Sequence, residues 1–143
     1  MIISTKGRYA LEVLVDLAEH MDEGYIPLKE ITERQNISLK YLESIMTVLS
    51  KAGLVDGVHG RGGGYRLNRS ASEYYLGEIL RLTEGNLAPV SCVGINAEPC
   101  TKAEGCRTLP IWNGLNDVIN EYLDKISLAD IMSHAKQDTE CPE

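Results

Sequence analysis

The chain has 143 residues, 24% of them charged, and a formal net charge of -7. This length suits one compact core with an appendage, and the uncharged apolar runs are far shorter than the roughly 20 residues of a membrane-spanning helix. Because the N-terminus also lacks a secretory signal pattern, we expect a cytoplasmic protein.

The negative charge is confined to the second half of the chain. Residues 1–70 contain nine Lys or Arg and nine Asp or Glu, whereas residues 71–143 contain five and twelve. A neutral half with locally clustered basic side chains can still steer DNA binding. The acidic net charge therefore does not exclude a nucleic-acid partner.

The first helix is predicted to begin at the capping residues Ser4 and Thr5 and to end before Gly24. A second, short helix follows Pro27 and covers residues 28–35. The apolar positions of the first helix recur at helical spacing and are Ala10, Leu14, Leu17, Ala18 and Met21.

A third helix, capped by Ser38 and ended by Gly53, has an apolar stripe on one side and polar residues on the other. Only residues 36–38 separate it from the second helix. Two short helices joined so closely, the second with a polar outer face, are typical of a helix-turn-helix whose recognition helix enters the major groove. The apolar stripe consists of Leu39, Leu42, Ile45, Met46 and Leu49.

Two short strands, near residues 54–58 and 65–67, are predicted around the glycine-rich tip at residues 60–64. A hairpin after a helix-turn-helix is a wing, and its tip can approach a phosphate or enter the minor groove. The alternative, a nucleotide-phosphate loop, is disfavoured because Gly-Lys-Ser/Thr is absent and the flanking pattern is strand-turn-strand.

The remaining elements are a helix at residues 76–84, a loop to about Thr108 and a long helix that starts near Pro110. The apolar stripe of the long helix is a candidate dimer seam. We predict a mainly α fold with a small β-hairpin. Its parts are a winged helix-turn-helix DNA-binding domain at 1–84, a cysteine-rich loop at 85–108, a dimerisation helix with a short terminal helix at 109–135, and a flexible tail at 136–143.

Three cysteines, Cys92, Cys100 and Cys106, lie within 15 residues of this loop. Such a loop can wrap a thiophilic metal or an iron-sulfur cluster. The alternatives are buried small hydrophobes, which the polar neighbouring residues disfavour, and zinc, which prefers four ligands, often in close pairs. Cys141 lies near the C-terminus and is expected to be a spare thiol.

Candidate DNA contacts lie in the first turn of helix one, on the recognition helix and in the wing. An ordinary solvated helix face would have the same amphipathic pattern. Glu43 can accept from cytosine N4 but repels phosphates, so we expect it to select sites rather than add affinity. The full set is Lys6, Arg8, Ser38, Lys40, Tyr41, Glu43, Ser44, His59, Arg61 and Gly62.

Four segments resemble the Rrf2 family of winged-helix transcription regulators, and the likeness extends over about residues 1–132. Within that family the three-cysteine loop and the following Trp112 are most similar to the iron-sulfur cluster regulators of the IscR type. The resemblance implies a homodimer in which the long helices of the two copies cross. It also implies a palindromic DNA site and a [2Fe-2S] cluster on the three loop cysteines. The segments are residues 4–10, 37–43, 53–55 and 60–65, and residues 76–79 and 127–130 continue the likeness.

The chain departs from the IscR pattern at the fourth cluster ligand. The family histidine three residues after the third cysteine is replaced by Leu109, and seven and five residues separate successive cysteines where IscR-type members have five and five. The fourth ligand is therefore open among Glu98, Glu104, His134, Cys141, a partner-chain residue and a small molecule.

The sequence as a whole predicts a homodimeric transcription regulator that senses iron-sulfur or redox status through a [2Fe-2S] cluster. One alternative is a thiol-redox or zinc-responsive regulator of the same fold. Another, of a different class, is an iron-sulfur carrier or electron-transfer protein whose winged helix serves protein contacts. An enzyme is not expected, because no Ser/His/Asp or paired-carboxylate grouping is evident.

Overall fold

The computed structural model describes residues 3–98 and 100–134 as a mainly helical fold with a two-stranded antiparallel hairpin. The fold class predicted from the sequence is confirmed. The expectations for the tail at 136–143 and for Cys141 lie outside the described residues. The elements are α1 (Thr5–Glu19), a 3-10 turn (Met21–Glu23), α2 (Leu28–Gln35), α3 (Leu39–Lys51), β1 (Val55–Val58), β2 (Gly64–Leu67), a 3-10 turn (Ala71–Glu73), α4 (Leu76–Glu84), α5 (Leu109–Asp124) and α6 (Leu128–Met132).

Helix α1 ends earlier than its apolar pattern predicts. Nδ1 of His20 donates to the backbone carbonyl of Asp16 at 2.7 Å, which is the acceptor that the next helical N–H would use. The chain then turns through a short 3-10 segment to Gly24. Met21, predicted to continue the core stripe, is 41% exposed as a result.

The core is formed where α1 and α3 pack against the base of the wing, α4 and α6. The predicted stripe of α3 is buried from Leu42 onwards, whereas Leu39 is 50% exposed because it is the first residue of the helix. The fully buried apolar side chains include Ala10, Val13, Leu14, Ile31, Leu42, Ile45, Met46, Leu49, Leu54, Tyr74, Ile79 and Leu128.

A buried carboxylate fixes α2 against α1. Asp16 is only 4% exposed and accepts hydrogen bonds from Nε and Nη2 of Arg34 at 2.9 and 2.7 Å and from Nε2 of Gln35 at 3.0 Å. Burial alone would raise the pKa of Asp16, but the hydrogen bonds from Arg34 and Gln35 outweigh it and lower that pKa. The first helix of the helix-turn-helix is therefore held in a defined position.

Tyr74, two residues before α4 begins, connects the start of this helix to the base of the wing. Its hydroxyl donates to the carbonyl of Leu54 at 2.7 Å and accepts from the N–H of Asn68 at 3.1 Å. Burial raises the pKa of this phenol above its ordinary value. The wing and α4 therefore belong to one packed unit.

Helix α5 is attached to this unit at its C-terminal end. The guanidinium of Arg81 on α4 donates to both oxygens of Asp124 at 2.7 and 3.0 Å and to Oδ1 of Asn120 at 2.6 Å. Just beyond α5, the N–H of Leu76 donates to the carbonyl of Ile126 at 2.9 Å. No residue of α5 is fully buried, so most of its apolar side is left open.

Candidate DNA interface and cysteine loop

Helix α3 presents the polar face predicted for a recognition helix. The Ser38 hydroxyl caps it by accepting from the N–H of Tyr41 at 3.1 Å, and Asn36 takes the left-handed conformation (φ 53°) that turns the chain from α2. The side chains of Lys40, Glu43, Ser44 and Thr47 are exposed on the side opposite the core.

Two of the predicted α3 contacts are less free than the sequence suggests. Tyr41 is half-buried and packs edge-on against Tyr9 of α1, with ring centroids 5.8 Å apart. The Ser44 hydroxyl donates to the carbonyl of Tyr41 at 2.6 Å, which leaves its oxygen as the group available to a base. Tyr41 therefore positions α3 against the first turns of α1.

The wing is an antiparallel pairing of β1 and β2 that aligns Val55 with Leu67 and Val58 with Gly64. Its tip turns through Gly60 and Gly62, whose φ values of 91° and 72° are unfavourable for other residues. His59, Arg61 and Gly62, which the sequence predicts as groove or phosphate contacts, are exposed at this tip.

A close backbone approach fixes the wing to the segment before α2. The N–H of Tyr65 donates to the carbonyl of Ile26 at 2.9 Å, and the N–H of Ile26 donates back to Tyr65 at 2.8 Å. A Cβ at Gly64 would lie 2.2 Å from the carbonyl oxygen of Ile26. A side chain at position 64 would therefore push the wing away from the helix-turn-helix.

The recognition helix and the wing enclose a cleft of about 470 Å³. It brings together Glu43 and His59, which the sequence predicted separately as DNA contacts. It also includes Thr47, one turn after Glu43, which sequence reasoning left out although the four-residue spacing places it on the same face. The lining residues are Pro27, Leu28, Glu43, Thr47, Val58, His59, Gly60, Gly63, Gly64 and Tyr65.

The first turn of α1 is the third candidate DNA-contacting segment. Lys6 is half-buried and Arg8 is exposed, and Nη2 of Arg8 donates to Oγ1 of Thr5 at 3.3 Å. The contact between Tyr9 and Tyr41 places this turn beside the recognition helix.

The cysteine loop between α4 and α5 is anchored by two buried apolar side chains, Leu87 and Val93. Cys92 is half-buried, Cys100 is exposed, and both are free thiols that line a cavity of about 590 Å³. Glu98 lines the same cavity. The other lining residues are Asn86, Ser91, Asn96, Ala97 and Thr101.

Cys106 lies outside the lining of that cavity, three residues before α5 begins at Leu109. Its sulfur is 3.6 Å from Oγ1 of Thr108. The hydrogen bond with Thr108 and those with the backbone at Thr108 and Leu109 lower the pKa of the Cys106 thiol. This thiol therefore has more thiolate character than an ordinary cysteine.

In the described parts of the chain, no group of three or more His, Cys, Asp or Glu side chains lies close enough to hold a metal ion. The structure thus brings two of the three predicted ligands to one cavity and leaves Cys106 apart from them. Leu109, which stands where the family histidine was expected, is half-buried and has no donor atom in its side chain. The cluster assignment stays a prediction.

The sequence profile of the Rrf2 family, described as an iron-dependent transcriptional regulator, matches residues 3–134. The chain belongs to the Rrf2 family. The HTH-type transcriptional regulator IscR of Pectobacterium carotovorum subsp. carotovorum (strain PC1) is 39% identical over 134 residues, which cover 94% of this chain and 80% of that protein. IscR of Aliivibrio salmonicida is 41% identical over 132 residues, covering 92% of this chain and 77% of that relative.

Two solved structures support the same Rrf2 assignment. CymR, the global cysteine regulator of B. subtilis, is 34% identical with a TM-score of 0.79, covering 95% of this chain and 99% of CymR. T. potens IscR is 36% identical with a TM-score of 0.72, covering 96% of this chain and 94% of that one.

This Rrf2-family chain is a DNA-binding transcriptional regulator with a winged helix-turn-helix. The prediction that it is not an enzyme is confirmed, because the family and the curated relatives are transcriptional regulators. None of the helices within residues 3–98 and 100–134 combines the length and the apolar composition that a membrane-spanning segment requires.

Proposed function

We propose that this regulator works as a homodimer whose affinity for promoter DNA depends on whether the cysteine loop holds a [2Fe-2S] cluster. The observation that carries the proposal is the cavity shared by Cys92, Cys100 and Glu98. It lies in the segment that joins the DNA-binding unit to α5. A cluster that orders this segment would therefore affect both the DNA-binding unit and α5.

The donor set is chemically suited to such a cluster. Thiolates are the ligands that iron-sulfur clusters select, and Cys92, Cys100 and Cys106 would hold the cluster. The lowered pKa of Cys106 favours the thiolate form that ligation requires. The bound cluster would supply an oxygen- and redox-sensitive centre, and the loop would have to close so that Cys106 joins the other two thiols.

The cavity also bears on the open fourth ligand. Glu98 lines it beside two of the thiols, whereas Glu104 and His134 are absent from its lining. Leu109 cannot ligate. The placement therefore favours the Glu98 carboxylate over the other described candidates, and Cys141 lies outside the described residues.

For DNA, we propose that α3 enters the major groove while the wing and the first turn of α1 contact the backbone. Glu43 and His59 share the cleft between α3 and the wing, so a base that reaches Glu43 would pass beside the wing. The proposed contacts are Lys6, Arg8, Ser38, Lys40, Tyr41, Glu43, Ser44, His59, Arg61 and Gly62.

For the homodimer, the support comes from α5. Ile111, Leu115, Val118 and Tyr122 are 60%, 41%, 62% and 66% exposed and recur at three- and four-residue spacing, so they lie along one side of the helix. An exposed apolar stripe of this kind marks a protein contact surface. A second copy of α5 would cover it.

A second candidate is regulation by thiol oxidation without a cluster. It is favoured by the separation of Cys106 from the other two thiols and by the thiolate character of Cys106. A structural relative, Staphylococcus aureus CymR in an oxidized form, is 35% identical with a TM-score of 0.73.

The two candidates separate on anaerobic purification followed by iron, acid-labile sulfide and absorption measurements. The cluster proposal expects iron, sulfide and a visible absorption band, with Cys92→Ala losing all three and changing DNA affinity. Ser91→Ala, which changes the residue next to Cys92 but removes no thiol, is the matched control and should keep them. Colourless protein whose DNA affinity changes on oxidation would favour the thiol candidate. Protein without iron or sulfide that binds its promoter equally in every redox state would refute both.

A further inference from the structure

Glu84, the last residue of α4, reaches across to the first turn of α1. Its Oε1 accepts hydrogen bonds from the backbone N–H of Ser4 at 3.2 Å and from the Ser4 hydroxyl at 2.5 Å, although the two residues are 80 positions apart. The same Ser4 oxygen caps α1 by accepting from the N–H of Gly7 at 3.0 Å. One carboxylate thus holds the cap of the helix that carries Lys6 and Arg8.

Glu84 and Gly7, which lie close together at this contact, are both unfavourable residues for the helices that contain them. A carboxylate at the C-terminus of α4 faces the negative end of that helix dipole, whereas at the N-terminus of α1 it meets the positive end. Gly7 lowers the helix propensity of α1, but a Cβ there would lie 2.3 Å from Oε1 of Glu84. Gly7 leaves the space that the Glu84 carboxylate occupies, so each unfavourable residue is accounted for by the other. Such paired departures from local preference are expected at functional contacts.

Glu84 stands where the DNA-binding unit passes into the cysteine loop. Gly85 follows at a φ of 76°, and Asn86, two residues after Glu84, lines the cavity shared by Cys92 and Cys100. On the other side of the contact, Tyr9 lies against Tyr41 of the recognition helix. A change in the loop that moves Glu84 would therefore reach the α1 cap.

We propose that Glu84 is the positioning residue that transmits the state of the cysteine loop to the DNA-contacting turn of α1. This inference rests on the proposed function, because it needs a loop whose state changes DNA affinity. With the Glu84 contact in place, the cap of α1 is held against α4 at the start of the turn that carries Lys6 and Arg8. When the loop shifts Glu84, that turn is released.

The test compares DNA affinity of cluster-loaded and cluster-free protein for wild type, Glu84→Ala, Glu84→Gln and Gly7→Ala, with a duplex selected by the wild-type protein from a randomised pool. Coupled sites typically change affinity by about 5- to 150-fold. We expect Glu84→Ala to reduce this ratio to less than about twofold. Glu84→Gln should keep part of it, because its amide oxygen still accepts from Ser4.

Gly7→Ala keeps the test decisive if a Glu84 variant folds poorly, since alanine favours the helix while its Cβ displaces the carboxylate. It should reduce the ratio as Glu84→Ala does. Glu78→Ala is the matched control, because Glu78 is an exposed glutamate on the same helix. That variant should retain the wild-type ratio.

The outcomes separate this inference from the proposed function. If wild-type protein shows the same affinity in both states, the proposed function fails and this inference fails with it. If wild type shows a difference and Glu84→Ala and Gly7→Ala preserve it, the transmitting role of Glu84 is refuted while the function stands. Loss of cluster absorption in Glu84→Ala would also refute it, since Glu84 would then act in holding the cluster.

Discussion

The guanidinium of Arg34 binds both oxygens of the buried Asp16 carboxylate, with Nη2 to Oδ1 at 2.7 Å and Nε to Oδ2 at 2.9 Å. This pair crosses from α2 to α1 and thereby sets the position of the helix that precedes the recognition helix. Substitution of either Asp16 or Arg34 should therefore lower the free energy of unfolding more than it changes the DNA contacts.

Arg34→Ala should destabilise the protein by about 2 kcal/mol, because it leaves a buried carboxylate with fewer partners, and the partial exposure of Arg34 moderates the loss. Urea unfolding measures this change. Glu30→Ala is the matched control, since its exposed ion pair with Arg34 at 3.5 Å should be worth less than about 1 kcal/mol. Equal effects of the two substitutions would contradict the assigned importance of Asp16.

Asp16 should also make stability depend on acid pH. Its pKa in the folded protein is below the ordinary value of 3.8, so the unfolded chain binds the proton first as pH falls. The contribution is complete above the ordinary value and is lost as pH drops through the lower folded value. Unfolding free energy measured across this acid range should fall less steeply in Asp16→Asn than in wild type. The exposed Asp22→Asn serves as control and should follow the wild-type curve.

Arg61→Ala should weaken DNA binding and reduce the salt dependence by about one unit in the slope of log K against log salt concentration, because one phosphate contact of the wing is lost. Fluorescence anisotropy over a salt series measures the slope. Lys51→Ala is the matched control, because it removes the same charge from the C-terminal end of α3, far from the end that is proposed to enter the groove. An unchanged slope in Arg61→Ala would show that the wing tip does not contact phosphate.

Val118→Glu should dissociate the proposed dimer. The substitution places a charge in the middle of the apolar side of α5, where a second copy would bury it at a large desolvation cost. Analytical ultracentrifugation should show monomer, and binding to a palindromic duplex should weaken. Asn113→Glu adds the same charge about 140° around the same helix and should leave the dimer intact; dimer formation by both variants would exclude this face.

Glu98→Gln should alter the visible absorption of the anaerobically purified protein and hasten its loss in air, because an amide is a weaker ligand than a carboxylate. Glu104→Gln removes the same charge from the same loop, outside the cavity shared by Cys92 and Cys100, and should keep the wild-type spectrum. Identical spectra and decay rates in the two variants would exclude Glu98 as the fourth ligand.

The sequence predicted several helix limits well because local signals set them. Pro27 and Asn36 enclose α2, Ser38 caps α3, and Gly85 follows α4, each through backbone conformations or capping that need no distant partner. The predicted end of α1 was wrong by one turn. The ring of His20 donates to the carbonyl of Asp16 in place of the next backbone N–H, and a pattern of apolar residues does not predict that hydrogen bond.

The cysteine loop shows the opposite case. Its composition indicates the chemistry of the ligands, but their mutual positions depend on how a loop with little secondary structure lies between α4 and α5. The finding that Cys92 and Cys100 share a cavity with Glu98, and that Cys106 stands apart, has no local signal in the sequence.

The amino-acid order alone therefore determined the element order and the amphipathic faces, because periodicity and caps act over a few residues, and its resemblance to the Rrf2 family implied the class of regulator. Only the tertiary structure decided that Glu84 meets Ser4, that Tyr41 packs on Tyr9 and that Glu43 faces the wing. The first two contacts join residues that are 80 and 32 positions apart, and all three are set by the packing of whole elements, which short-range patterns do not encode.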